Sequence, residues 1–337
     1  MSTTVHGRRD LSSFRLGDVE LDFTRIRTGH DDGPGWMHSG IAALPDGTLF
    51  VAHPQGHDLI RIDSSGGNRR IRTELTEMHS IAAVPHHDSH ALWVADNGHR
   101  FVHGAPEYGE YTARGRVVQL ALDGTVLTEL QDPVSGGPWS PTSVAVDPAS
   151  GDVWVADGYG QSLVHRYDSG GVLQATLDGS QSGVTFSCPH GIFLRDVGGQ
   201  LQLYVADRSN HRIVVYSVDG TFLRAFGATV LDSPSSLTEY EGFLLVTELF
   251  GAIAAFDGDD YVGHLGSSPR STDEPRWPNT LDDDGDTIAP ALADRTFNSP
   301  HGITVHQGAI YLTEWLIGGR VVRLSPSSPT PGAGETR

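Results

Sequence analysis

Three histidines in this chain lie in near-identical surroundings at one fixed interval. They are His79 in Met78-His79-Ser80-Ile81, His190 in Pro189-His190-Gly191-Ile192 and His301 in Pro300-His301-Gly302-Ile303, with 190 − 79 = 111 and 301 − 190 = 111. Neutral imidazole is a ligand for zinc and other first-row divalent metals. Three imidazoles with a fourth position left open form a known donor set for catalytic zinc. That chemistry requires the three rings to meet in space, so the question passes to the elements that carry them.

Around His190 the sequence reads as four short strands: Pro189 to Leu194, Leu203 to Asp207, Arg212 to Tyr216 and Asp219 to Arg224. Each is rich in Val, Ile, Leu or aromatic residues, and Gly, Asp and Asn separate them as turn formers. We call them a, b, c and d. The pattern recurs with strand a near Ser39, His79, Thr142, His190, Ser235 and His301. A four-stranded unit repeated at this length is a propeller blade. The sixth repeat has strands a to c and then a tail rich in Pro, Ser and Gly. The alternating segment Val19 to Ile26 can supply its missing outer strand and close the ring. The expected architecture is therefore an all-β, six-bladed propeller over residues 19–325, flanked by an N-terminal tail (1–18) and a disordered C-terminal tail (326–337).

The histidines fall in repeats two, four and six, with Ser39, Thr142 and Ser235 at the matching positions of the others. Alternate blades of a six-fold ring stand about its axis with three-fold symmetry, so three imidazoles at the channel mouth can point at one atom. Two stretches exceed the repeat length, 97–115 and 266–298. The meander a-b-c-d puts both on the face where strand a begins. Long loops on one face of a rigid scaffold usually carry function.

The remaining candidates carry less. His86, His87 and His90 fall in an a-to-b turn on the far face. His53 replaces the Asp common after strand b and is expected to make a local hydrogen bond or assist the site. Asp282 to Asp286 lacks the spacing and terminal Glu of a calcium loop and reads as a solvated turn. Cys188, two residues before His190, reads as a small buried hydrophobe ahead of a thiol ligand.

Bulk properties exclude several classes. The 337 residues carry 42 Asp and Glu against 23 Lys and Arg, a formal charge of −19. An acidic surface repels polyphosphate, so no nucleic-acid partner is expected. No stretch approaches the roughly 20 apolar residues of a membrane span. The polar start from Met1 to Asp10 and the single cysteine lead to the expectation of a cytoplasmic, disulfide-free protein, taken as a monomer.

Val205-Ala206-Asp207-Arg208-Ser209-Asn210-His211-Arg212-Ile213 and Val155-Ala156-Asp157-Gly158-Tyr159-Gly160 resemble NHL repeats. The chain from about 35 to 325 resembles the lyase domain of peptidylglycine α-amidating enzymes, a six-bladed propeller. The resemblance implies that His79, His190 and His301 bind a catalytic zinc, that Tyr159 is the catalytic tyrosine and that Arg208 is the catalytic arginine. Gly302 stands where that family has the Asp of its structural calcium site, which argues against calcium here. Residue chemistry agrees with these roles: a phenol near a cation can serve as a base, and a guanidinium can hold a carboxylate or an oxyanion. The expected activity is metal-dependent cleavage of the C–N bond of an N-acyl hemiaminal, on a small metabolite or a short peptide-like substrate. The alternatives are another metal-dependent hydrolase or lyase at the same histidines, and a non-enzymatic NHL binding scaffold.

Overall fold

The computed structural model describes residues 14–30, 33–133, 137–266 and 275–327. Six four-stranded antiparallel units succeed one another along the chain, each forming one sheet. In blade one the strands are Ile41–Ala43, Leu49–Ala52, Asp58–Ile62 and Asn68–Arg72. In blade six strands a to c (Pro300–His306, Ala309–Glu314, Arg320–Pro326) are completed by Val19–Ile26, which pairs along Arg320–Pro326 from Leu21↔Pro326 to Ile26↔Val321. The N-terminal strand thus closes the ring as the alternation of residues 19–26 predicts. Among the described residues no helix is long and apolar enough to cross a membrane.

Burial along each blade follows from its place in the ring. A strand b has a neighbouring blade on both faces, so it is buried on both. Val153–Asp157 is buried throughout, as are the last six residues of Gln200–Asp207. This is why strands b read as unbroken apolar runs rather than as alternation. A strand d lies at the rim and is mostly exposed, as in Asn68–Arg72 and Leu173–Leu177. The core is accordingly a series of inter-blade layers; one packs Ala145, Trp154 and Val164 of blade three against Ile192, Leu203 and Tyr216 of blade four. Each large apolar side chain buried this way contributes roughly 1.5–3 kcal/mol.

The sheet of blade six starts earlier than the expected boundary at residue 19. Arg15–Leu16 pairs with Val19–Glu20 as a fifth strand, and Phe14 and Leu16 are buried in the layer that holds Phe297 and Leu265. A two-residue hairpin turn at Gly17 (φ +57°) lets this short segment fold back. At the other end Pro326 still belongs to a strand, and Ser327 N–H donates to Glu20 O (2.8 Å). The rest of the expected C-terminal tail, 328–337, lies outside the described residues.

One repeated device sets the entry to strand a. The carboxylate that ends strand b accepts backbone N–H groups from the loop approaching strand a of the same blade. Asp96 takes Thr76 and Glu77, Asp207 takes Ser187, and Glu314 takes Asn298 and Ser299. Each clamped loop ends within three residues of a histidine. Asp207 also binds Arg212 Nε (2.8 Å) and Asn210 Nδ2 (2.7 Å) in full burial. Asp207→Ala would strand the buried Arg212 charge as well as the loop N–H. We expect it to cost about 3–5 kcal/mol of stability, read from the urea midpoint; a midpoint equal to wild type would contradict this role.

Candidate metal centre

Each of the three histidines occupies a break in strand register. Met78 pairs with Asp96 and Ser80 with Ala95, leaving His79 as the extra residue; His190 and His301 stand in the same relation between their flanking pairs. A β-bulge of this kind turns one side chain out of the pleat, here toward the propeller axis. Room for the turn depends on neighbouring glycines. A Cβ on Gly191 would overlap the Ser235 carbonyl oxygen, and one on Gly302 would overlap that of Ser39. Gly302 therefore has no space for the Asp of the calcium-binding pattern without a shift of backbone.

The three rings lie close together, although the group whose nitrogens all come within 4.8 Å of one another is His38, His79 and His301 and leaves out His190. Centroids are 4.6 Å apart for His79 and His190, 4.7 Å for His190 and His301, and 5.1 Å for His79 and His301. All three are 2% exposed. Ser39, Thr142 and Ser235 join them in lining one central cavity of about 230 Å³. The silent positions orient two of the three rings. Thr142 O accepts from His79 Nδ1 (2.5 Å) and Ser235 O accepts from His190 Nδ1 (2.9 Å). A carbonyl can only accept, so Nδ1 carries the proton and the lone pair of each ring lies on Nε2.

Burial keeps these imidazoles neutral. It lowers the pKa of His79, His190 and His301 well below the ordinary value, and the positive charge of Arg208 lowers them further. Neutral rings with fixed tautomers suit a cation. His79 Nε2 and His301 Nδ1 are buried with no hydrogen-bond partner, a costly state for a polar atom that metal binding at His79 would relieve. The residues present therefore fit a divalent metal.

Tyr159 and Arg208, which sequence resemblance singles out, stand over this group. The Tyr159 hydroxyl donates to His190 Nε2 (3.1 Å) and accepts from Arg208 Nη1 (3.3 Å). Arg208 Nη2 donates to Ser235 Oγ (2.7 Å) and to His301 Nε2 (3.3 Å). Among the described residues no carboxylate lies within ion-pair distance of Arg208. Although the residue as a whole is well exposed, desolvation of its hydroxyl beside His190 raises the Tyr159 pKa, and the Arg208 charge opposes that rise without cancelling it. The phenolate thus needs further positive charge, which a metal would provide. Tyr159 is 42% exposed, so this side of the centre opens to solvent.

Sequence reasoning missed His38. It is 5% exposed, with its ring centroid 4.5 Å from His79 and 5.5 Å from His301. One nitrogen from each of His38, His79 and His301 lies within 4.8 Å of the others. The signal was present: Met37-His38-Ser39-Gly40-Ile41 repeats Met78-His79-Ser80-Ile81 one blade away, 79 − 38 = 41, with one glycine inserted. Aligning on Ile41 puts Ser39 opposite His79 and hides the match. His53 is not in the group. It accepts Gln55 N–H at Nδ1 (3.0 Å) and packs on His30, the local role foreseen as one option. Cys188 is half-buried, and burial raises its thiol pKa. His86 pairs with Ser89 and His90 with Pro85 in the a-to-b hairpin, at the opposite end of strand a.

The two insertions share one face, since they touch. Thr287 N–H donates to Pro106 O (3.0 Å), and Arg276 pairs with Glu107. With the segment before blade one they assemble an aromatic wall. Trp36 stacks on Phe101 (4.2 Å) and meets Trp315 (5.2 Å), and Trp315 lies 6.3 Å from His38. Trp277 joins Trp315 to Phe250.

A six-bladed propeller with a buried histidine group at its channel mouth is the class that fold and site define. Its relatives narrow this further. The chain is similar to peptidyl-glycine alpha-amidating monooxygenase A of Xenopus laevis, 30% identical over 324 residues, covering 90% of this chain and 29% of that protein. Over a shorter stretch it is 38% identical to the peptidylglycine alpha-amidating monooxygenase of Rattus norvegicus, across 84 residues, 23% of this chain and 8% of that one. The chain thus resembles these proteins over one part of them and spans less than a third of the Xenopus relative's length. No family model matches. Solved structures with the same fold include virginiamycin B lyase from Staphylococcus aureus (TM-score 0.57, 13% identity, 92% of this chain and 100% of that one). A gluconolactonase from Xanthomonas campestris is another (TM-score 0.59, 16% identity, 93% and 91%). At these identities the likeness is one of fold.

Proposed function

We propose that this protein is a metal-dependent lyase that splits N-acyl hemiaminals of the α-hydroxyglycine type into an amide and glyoxylate. The observation that carries the reading is the Tyr159 hydroxyl held between His190 Nε2 (3.1 Å) and Arg208 Nη1 (3.3 Å) above a group of neutral imidazoles. The similarity to amidating monooxygenases supports it.

His79, His190 and His301 would hold the cation, with zinc the leading candidate; His190 and His301 would exchange the hydrogen bonds that their Nε2 atoms accept from Tyr159 and Arg208 for it. When bound, the cation supplies Lewis acidity toward a substrate hydroxyl and a positive charge that favours the Tyr159 phenolate. Arg208, free of any carboxylate partner among the described residues, binds the substrate carboxylate with its forked donors. Tyr159 Oη takes the proton of the substrate hydroxyl. The oxygen's electron pair then forms the carbonyl as the C–N bond breaks, and the departing amide nitrogen receives the proton. The aromatic wall of Trp36, Phe101 and Trp315 suits an apolar acyl group. The substrate is therefore a small acylated hydroxyglycine or the end of a short peptide.

The direct test is α-hydroxyhippurate, which carries a benzoyl group and a carboxylate. Metal-loaded protein is expected to release benzamide and glyoxylate in equal amounts, and faster than buffer alone. Metal-loaded protein that leaves it intact would remove the lyase assignment and favour another metal-dependent reaction at the same centre.

A further inference from the structure

His38 belongs to none of the three copies that define the alternate-blade pattern, yet it is buried beside two of them. It enters from the segment ahead of strand a in blade one, fixed by Met37 N–H donating to Leu316 O (3.0 Å) and Gly40 N–H donating to Met78 O (3.1 Å). Behind it lies Glu77, 1% exposed, whose Oε1 is 3.3 Å from His38 Nδ1. On the other side are His79 and His301, their rings 4.5 and 5.5 Å away. At this distance the two atoms are in contact without a formed hydrogen bond; closing it would fix the ring and leave the second nitrogen as a ligand, a pairing typical of histidines that bind metals. His79 Nε2, buried and unpartnered, lies in the same group.

We propose that His38 is a fourth nitrogen ligand, so that the centre is a four-imidazole site with Glu77 as the positioning residue of the fourth arm. This rests on the reading that the centre binds a cation. It changes what the cation can be. Four protein ligands fill a tetrahedral ion and leave no position for a substrate oxygen. A working centre then requires a metal that accepts five or six ligands, which imidazole-rich sites provide for iron, cobalt or nickel as well as for expanded zinc. It also means that the cation keeps its full charge, because no carboxylate is among its ligands.

The test uses the full chain with Co²⁺ as the probe. X-ray absorption on the loaded wild type counts imidazoles by their multiple scattering, and four are expected, with a total coordination number of five or six. Equilibrium dialysis should show His38→Gln binding Co²⁺ at least 10-fold more weakly than wild type. Glu77→Gln should lose roughly 10–100-fold, as supporting residues of metal-bound histidines do. A spectrum with three imidazoles, or His38→Gln binding Co²⁺ as tightly as wild type with an unchanged spectrum, would overturn the four-imidazole centre while leaving a three-histidine metal site standing. Wild type that binds no Co²⁺, Zn²⁺ or Fe²⁺ would overturn both. Should His38→Gln fail to fold by circular dichroism, the wild-type imidazole count still decides.

Discussion

His79→Ala is expected to strip the protein of stoichiometric metal and to abolish turnover. Its ring is 2% exposed, its Nδ1 is fixed on Thr142 O and its Nε2 has no partner other than what the centre would bind. The loss in affinity should exceed the roughly 10–100-fold that follows when only a supporting partner of a metal-bound histidine is removed. Elemental analysis of wild type should find about one metal per chain, and the variant close to none. His86→Ala, on the far end of strand a, should retain the wild-type content. Equal metal in both variants would place the cation elsewhere, and none in wild type would leave the propeller as a binding scaffold.

Tyr159→Phe separates binding from chemistry. The ring packs edge-on against His79 (5.3 Å) and His190 (5.5 Å), and Phe preserves those contacts. Only the hydroxyl between His190 and Arg208 is lost. Metal content should therefore be unchanged, while kcat for glyoxylate release falls by about 10²–10⁴, the usual contribution of a positioned proton acceptor. A variant with wild-type kcat would assign the proton to another group. A variant with normal kcat and a raised KM would make Tyr159 a binding residue instead.

Much of this was legible in the chain because a propeller writes its fold as repetition. Strand b is sandwiched between two blades, so runs such as Leu92-Trp93-Val94-Ala95 stand out as apolar blocks, and strand a follows each Asp-clamped loop at a regular distance. The alternation of His with Ser39, Thr142 and Ser235 then gave the three-fold arrangement on the axis. What escaped did so for local reasons. One inserted glycine, Gly40, moved His38 out of phase with its own motif. Phe14 and Leu16 looked like part of a tail because two residues are too few to show strand alternation, and only the groove beside Phe297 makes them core.

The sequence by itself determined the ring: number of blades, closure by residues 19–26, and three imidazoles carried by alternate blades. These follow from short-range periodicity combined with the closed symmetry of the fold. Tertiary structure alone decided which further side chains gather around these histidines. The approach of Glu77 to His38 and the aromatic wall of Trp36, Phe101 and Trp315 join segments whose spacing the repeat does not fix. Such contacts depend on where loops of unequal length come to rest against the scaffold, and a repeat carries no record of that.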